Sequence, residues 1–231
     1  MMRVSSAWLG LCMAAVLSTG LGAARPAEAQ PMLYEQRLPE GFAFVRFANT
    51  LPGRVTVKPD YDNQVALPDG AAERVTAYMV AEDVAKRPVK LVISDGTLTT
   101  EVTVQIPGGG YNTVLLRRDG DRLGAVVITD KVEFNQTRAR LGFYPAIAGC
   151  ADGGLSIDPG NQAIFSKVAA ETGAARNLNP AAAKVIASCG GQRAPLLDLG
   201  RLEAGQQYSV WLMAPQGTPV SFLVRDRIAA R

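Results

Sequence analysis

Between residues 42 and 132, runs rich in β-branched and aromatic residues alternate with strong turn formers, and this punctuation leaves little room for anything but a β fold. The runs are FAFVRFA (42–48), RVTVKP (54–59), ERVTAYMVA (73–81), PVKLVIS (88–94), TLTTEVTVQI (97–106), YNTVLLR (111–117) and LGAVVITDKV (123–132). LPGR, LPDG, SDG, PGGG and RDGD separate them. Each break is rich in the glycine, proline or aspartate that tight turns require. Seven such runs within about a hundred residues, with no convincing helical periodicity between them, predict an Ig-like β-sandwich.

The pattern then restarts. DKVEFNQTRAR (130–140) is polar and flanked by apolar runs, and reads as a boundary. ARLGFYPAIA (139–148) echoes AFVRFANTLP (43–52), Val45 matching Leu141 and Phe47 matching Phe143 at an offset of 96. LEAGQQYSVWLMA (202–214) echoes IPGGGYNTVLLRR (106–118), with Tyr111 against Tyr208 at an offset of 97. Similar offsets at two distant places point to two copies of one plan. The expected fold is all-β: two consecutive β-sandwich domains, residues 30–132 and 133–231, joined by a short linker. NPAAAKVIASCGG (179–191) leaves two readings open. Asn179 and Pro180 suit a helix start, whereas the matching place in the first half, PVKLVISDG, reads as a strand.

Gly108, Gly109 and Gly110 raise the question of a phosphate-cradling loop. A dinucleotide fingerprint needs glycine at the first, third and sixth positions and a helix after it. Counting from Gly108, the sixth position is Thr113, and the next residues form a β-rich run. A P-loop needs Gly-Lys-Ser/Thr, and no such triplet exists. The glycines read instead as a corner before a strand, where positive φ angles are needed. Tyr111 and Tyr208 are then candidate tyrosine corners, each hydrogen-bonding back to the turn before it.

The first residues resemble an export signal. Arg3 precedes the apolar run Ala7–Leu21, and small residues at Ala27 and Ala29 place cleavage after Ala29. Removal would leave 202 residues, Gln30–Arg231, with 22 basic and 20 acidic side chains and a net charge of about +2. No Lys/Arg tract concentrates that charge, so nucleic acid is not an expected partner. Two cysteines remain, Cys150 and Cys189, and in an exported chain an even pair reads as a disulfide.

The chain contains no histidine. Ser-His-Asp hydrolysis, Cys-His thiol chemistry and histidine-ligated zinc are therefore excluded within it. Carboxylate chemistry stays possible in principle. Yet Glu82, Asp83, Asp95, Asp119, Asp121 and Asp152 all fall in turn-like polar surroundings, where solvated loop charges are the rule. Asp119-Gly120-Asp121 lacks the further spacing of a calcium loop. Arg117-Arg118 and Arg225-Asp226-Arg227 could contact an acidic polymer, though isolated surface arginines are commoner. No catalytic, cofactor or metal residue is assigned.

LYEQRLPEGFAFVRFANT (33–50), the strands after glycine corners, and GFYPAIAGC, ARNLNPAAAKVIASCGG and LEAGQQYSVWL, in that order, resemble the alginate O-acetylation protein AlgF family. The resemblance implies a periplasmic accessory protein of polysaccharide O-acetylation, with membrane-bound and periplasmic O-acetyltransferases as partners and alginate or cellulose as the polymer. It transfers no functional residue to this chain. Two other readings compete. One is a carbohydrate-binding module using Tyr34, Tyr61 or Trp211; the other is a histidine-free acetyltransferase built on serine or carboxylate.

Overall fold

In the computed structural model, residues 38–230 are described, and all of them belong to one compact unit. The first half contributes β1 (Ala43–Asn49), β2 (Val55–Pro59), β3 (Val65–Leu67), β4 (Met79–Ala81), β5 (Val89–Ser94), β6 (Thr99–Val104), β7 (Tyr111–Asp119) and β8 (Arg122–Asp130). The second contributes β9 (Ala139–Pro145), β10 (Gly153–Asp158), β11 (Gln162–Val168), β12 (Ala174–Leu178), β13 (Ala182–Cys189), β14 (Gln192–Arg193), β15 (Leu197–Arg201), β16 (Gln207–Met213) and β17 (Val220–Asp226). The contested segment is therefore a strand, β13. Its alanines are overruled by pairing on both sides, with β10 on one and with β14 and β15 on the other. The run at 73–81 divides into a 3-10 turn, Ala72–Arg74, and the short strand β4.

Four sheets result. Their orders are β3-β2-β5-β6, β4-β1-β7-β8, β12-β9-β16-β17 and β11-β10-β13-β14, with β15 also on β13. The first two sheets enclose one core, in which Val45, Phe47, Val114 and Leu116 meet Val55, Val57, Leu91 and Ile93. The last two enclose another, in which Leu141, Phe143, Val210 and Leu212 meet Leu155, Val185 and Ala187. Two sandwiches are thus present, as the turn spacing predicts.

The two halves are copies in detail. β1 runs parallel to β7 with Phe44 opposite Tyr111, and β9 runs parallel to β16 with Arg140 opposite Gln207. A shift of 96 carries 44 to 140 and 111 to 207. The equivalent of Tyr111 is therefore Gln207, and the apparent match of Tyr111 with Tyr208 is one residue out. In a strand a one-residue slip reverses the face, so the two tyrosines point opposite ways. Tyr208 packs in the second core, and its hydroxyl accepts a hydrogen bond from the Glu203 N–H at 3.3 Å. Tyr111 faces outward from the first core, stacked on Phe44 at 4.5 Å and edge-on to Tyr78 at 5.0 Å.

A third core joins the sandwiches, and a chain of two modules on a short linker does not anticipate it. Ala48, Leu115 and Ile128 from the first half pack with Tyr144, Trp211, Met213 and Phe222 from the second. Strands β1 and β9 are consequently buried at every position. The tail crosses the same seam: the Tyr78 N–H donates to Arg227 O at 2.9 Å and the Ala229 N–H to Tyr78 O at 2.8 Å. Cys150 and Cys189 form a disulfide with Cα atoms 5.7 Å apart, tying the segment before β10 to the end of β13. Such bonds persist in oxidising compartments.

Candidate functional site

Among the described residues, the densest polar interior lies in that seam. Strand alternation puts Val45 and Phe47 into the first core and therefore aims Arg46 the other way, into the junction. The whole of Arg46 is buried. Its Nε donates to Thr113 Oγ1 at 2.8 Å, and Nη1 donates to Asp226 Oδ1 at 2.6 Å. Thr113 donates in turn to Asp130 Oδ2 at 2.7 Å. Asp130 also accepts from the hydroxyls of Tyr78, at 2.9 Å, and Tyr144, at 2.7 Å. On the other side Trp211 Nε1 donates to Ser209 Oγ at 3.0 Å, and Ser209 donates to Asp226 Oδ1 at 2.7 Å. Both halves of the chain contribute to this network.

The network repeats the duplication. Thr113 with Asp130 and Ser209 with Asp226 are equivalent hydroxyl–carboxylate pairs, again 96 apart (113 to 209, 130 to 226), on equivalent β7–β8 and β16–β17 ladders. The cation is not repeated. The position matching Arg46 is Gly142, where an added Cβ would lie 3.1 Å from the Tyr144 ring. One guanidinium therefore serves two carboxylates, and Tyr144 closes over the glycine of the second copy.

Arg46 is stabilised by more than its ion pair. Its guanidinium carbon lies 4.4 Å from the Tyr78 ring centre, 5.0 Å from Tyr144 and 5.2 Å from Trp211. Nη2 has no hydrogen-bond partner, and the electron-rich ring faces take its place. Burial opposes the charge, but Tyr78, Asp226, Tyr144 and Asp130 together outweigh it and hold the guanidinium above its ordinary value. Burial likewise pushes the Tyr78 and Tyr144 phenols well above theirs, against the pull of Arg46.

The Ser209–Asp226 contact has the atoms of a nucleophile and a proton acceptor, yet Ser209 is 0% exposed and Asp226 is committed to Arg46. A substrate carbonyl has no route to that oxygen, so the pair functions as packing. The other sequence candidates scatter. Asp95 caps its own turn, accepting from the Thr97 and Leu98 N–H groups, and pairs with Arg118 at 3.2 Å. Those backbone donors, helped by Arg118, hold its carboxyl below the usual range. Asp152 accepts from the Gly190 N–H beside the disulfide. Gly109 takes a φ of +75° and donates its N–H to Phe42 O at 2.7 Å, while a Cβ on Gly108 would collide with Ala85. The triple glycine is thus a packed corner. Trp211 is fully buried and stacked on Tyr144 at 4.4 Å, so it offers no platform for a sugar. Tyr61 packs against the first core, and burial raises its phenol. Tyr34 and the cleavage position after Ala29 lie outside the described residues.

Two clefts open where the seam reaches the surface. One, about 350 Å³, is lined by Asp130, Arg140, Tyr144 and Asn177 among others. The second, about 490 Å³, is lined by Leu115, Arg117, Ala146, Glu171 and Pro215 among others, and an Arg117–Glu171 ion pair bridges the two halves there. Sequence reasoning missed Arg46, Asp130 and Asp226. The signal available was a lone arginine inside an otherwise apolar strand that also repeats at an offset of 96.

Fold and site together define an all-β protein of two sandwiches packed around a polar seam. No protein-family model and no curated protein matches this chain. Among solved structures it is similar to a protein from Bacteroides uniformis provisionally described as a cell adhesion protein, at 11% identity and a TM-score of 0.25, over 80% of this chain and 98% of that one. It is also similar to one from Bacteroides fragilis with the same provisional description, at 12% identity and a TM-score of 0.25, over 91% and 94%.

Proposed function

We infer that this chain is a non-catalytic accessory protein of a periplasmic machine that O-acetylates an exported polysaccharide, alginate or cellulose. Its role is to hold the acetyltransferases of that machine together. The ordered resemblance of residues 33–50 and 142–212 to the AlgF family supplies the pathway. The complete burial of Ser209 carries the non-catalytic reading: the organised hydroxyl–carboxylate pair stabilises the joint between the sandwiches, and acetyl chemistry is left to partners. The Cys150–Cys189 bond fits an oxidising compartment such as the periplasm.

Deletion of the gene tests this reading. The acetyl content of the exported polymer is expected to fall while polymer yield holds, and a Ser209→Ala chain present at normal abundance is expected to restore acetylation. Unchanged acetyl content on deletion, or failure of Ser209→Ala at normal abundance, would overturn it.

A further inference from the structure

Arg140 and Asn177 face each other across the β9–β12 ladder, so their side chains share the seam face. Arg140 is 4% exposed, yet among the described residues its guanidinium has no hydrogen-bond or ion-pair partner. Asn177 Oδ1 is buried and equally without a partner. Buried polar groups are nearly always satisfied. Here a strong donor and an acceptor sit side by side, and neither serves the other. Both line the 350 Å³ cleft together with Lys131, Glu133 and Asp130. Arg176 lines it too, but it sits opposite Leu141 on the other face of the ladder and donates to Ile164 O at 2.9 Å. Asp130 makes no hydrogen bond or ion pair with Arg140; its oxygens accept from Tyr78, Thr113 and Tyr144.

We propose that this cleft binds a small hydroxylated carboxylate of the sugar-acid class, its carboxylate on Arg140 and a hydroxyl on Asn177 Oδ1. The planar guanidinium fork matches a carboxylate. Arg140 supplies the positive charge that holds an anion, and Lys131 stands in the same lining to draw one in. Glu133 and Asp130 in the same lining repel a doubly charged phosphate more than a monoanion. Asn177 Oδ1 requires a donor, which a bare carboxylate lacks and a sugar hydroxyl supplies. The volume is at the small end of ligand sites, which run from about 300 to 1,000 Å³, and suits one sugar ring. The inference stands on the cleft alone; the accessory role can fail without it, and the reverse.

The full chain, followed by backbone amide NMR, is titrated with D-glucuronate, D-glucose and inorganic phosphate. Glucuronate is expected to shift the amides of residues 131–133, 140 and 174–177 saturably, glucose not at all, and phosphate to bind at least about tenfold more weakly. Arg140→Gln should weaken glucuronate about tenfold or more, the worth of a charge-assisted bidentate contact. Lys131→Gln, at an exposed position that does not endanger folding, should weaken it about threefold. No saturable glucuronate response, an equal response to glucose, phosphate binding as tight as glucuronate, or affinity unchanged in both variants would overturn the proposal.

Discussion

Asp130 and Asp226 occupy the same position in the two halves of the chain, opposite Tyr111 and Gln207 on equivalent ladders, and both turn their carboxylates into one network. Arg46 contacts Asp226 directly and reaches Asp130 through Thr113. A buried pair of this kind is a weak source of net stability but is severely damaged when one partner is removed.

Arg46→Met therefore strands Asp226 and is expected to destabilise the chain by about 3–5 kcal/mol. Adding Asp226→Asn to Arg46→Met should recover part of that loss, because the remaining group is no longer an unpaired charge. Urea unfolding followed by far-UV circular dichroism checks both. Equal stability of Arg46→Met and the unaltered chain would contradict the arrangement.

Gly142→Ala tests the asymmetry of the duplication. The new Cβ would press on the Tyr144 ring at 3.1 Å, and the ring is pinned by Asp130 and Trp211. A loss of about 1–3 kcal/mol is expected, typical of overpacking. Gly191→Ala, where a Cβ meets nothing within 4 Å, should stay within about 0.5 kcal/mol of the parent. Thermal melts compare the two.

The disulfide closes a 39-residue separation, and its removal frees that loop in the unfolded chain. Cys150→Ala with Cys189→Ala should lower stability by about 2–4 kcal/mol. Reductant should reproduce the loss in the parent and leave the double variant unchanged.

Tyr78 and Tyr144 give a pH dependence of defined sign. Burial raises both phenols above their unfolded value of 10.0, so the folded state holds these protons longer than the unfolded one. Their contribution is fully present below about pH 10 and is lost as pH rises toward the folded-state values. Stability should fall in that alkaline range, and the phenolate absorbance of these two tyrosines should appear only with unfolding. Ionisation of every tyrosine near pH 10, with the fold intact, would contradict their burial.

The sandwich class was legible because outer strands such as β2 and β5 alternate cleanly, with one face in a core and one in water. The seam was not legible, for a physical reason. Strands β1, β9 and β16 are covered on both faces, so their sequences AFVRFAN, ARLGFYP and QYSVWLM are nearly continuous in apolar residues. Alternation then no longer tells which face holds Arg46 or Trp211. The one-residue slip between Tyr111 and Tyr208 has the same origin, since Val114 and Leu116 suit either register against a doubly buried strand. Asp130 opens the polar boundary segment 130–140 and Asp226 sits inside Arg225-Asp226-Arg227, because each ends its strand, and part of what encloses each comes from the opposing half.

The central claim is that this chain binds acetyltransferases and does none of their chemistry, and affinity capture from membrane and periplasmic fractions tests it most directly. With the chain as bait and mass spectrometry as readout, an O-acyltransferase of the polysaccharide pathway is expected to be enriched over a control bait. Absence of any such enzyme from the captured proteins, or transfer of acetyl from a chromogenic ester to an oligosaccharide by the purified chain alone, would contradict it.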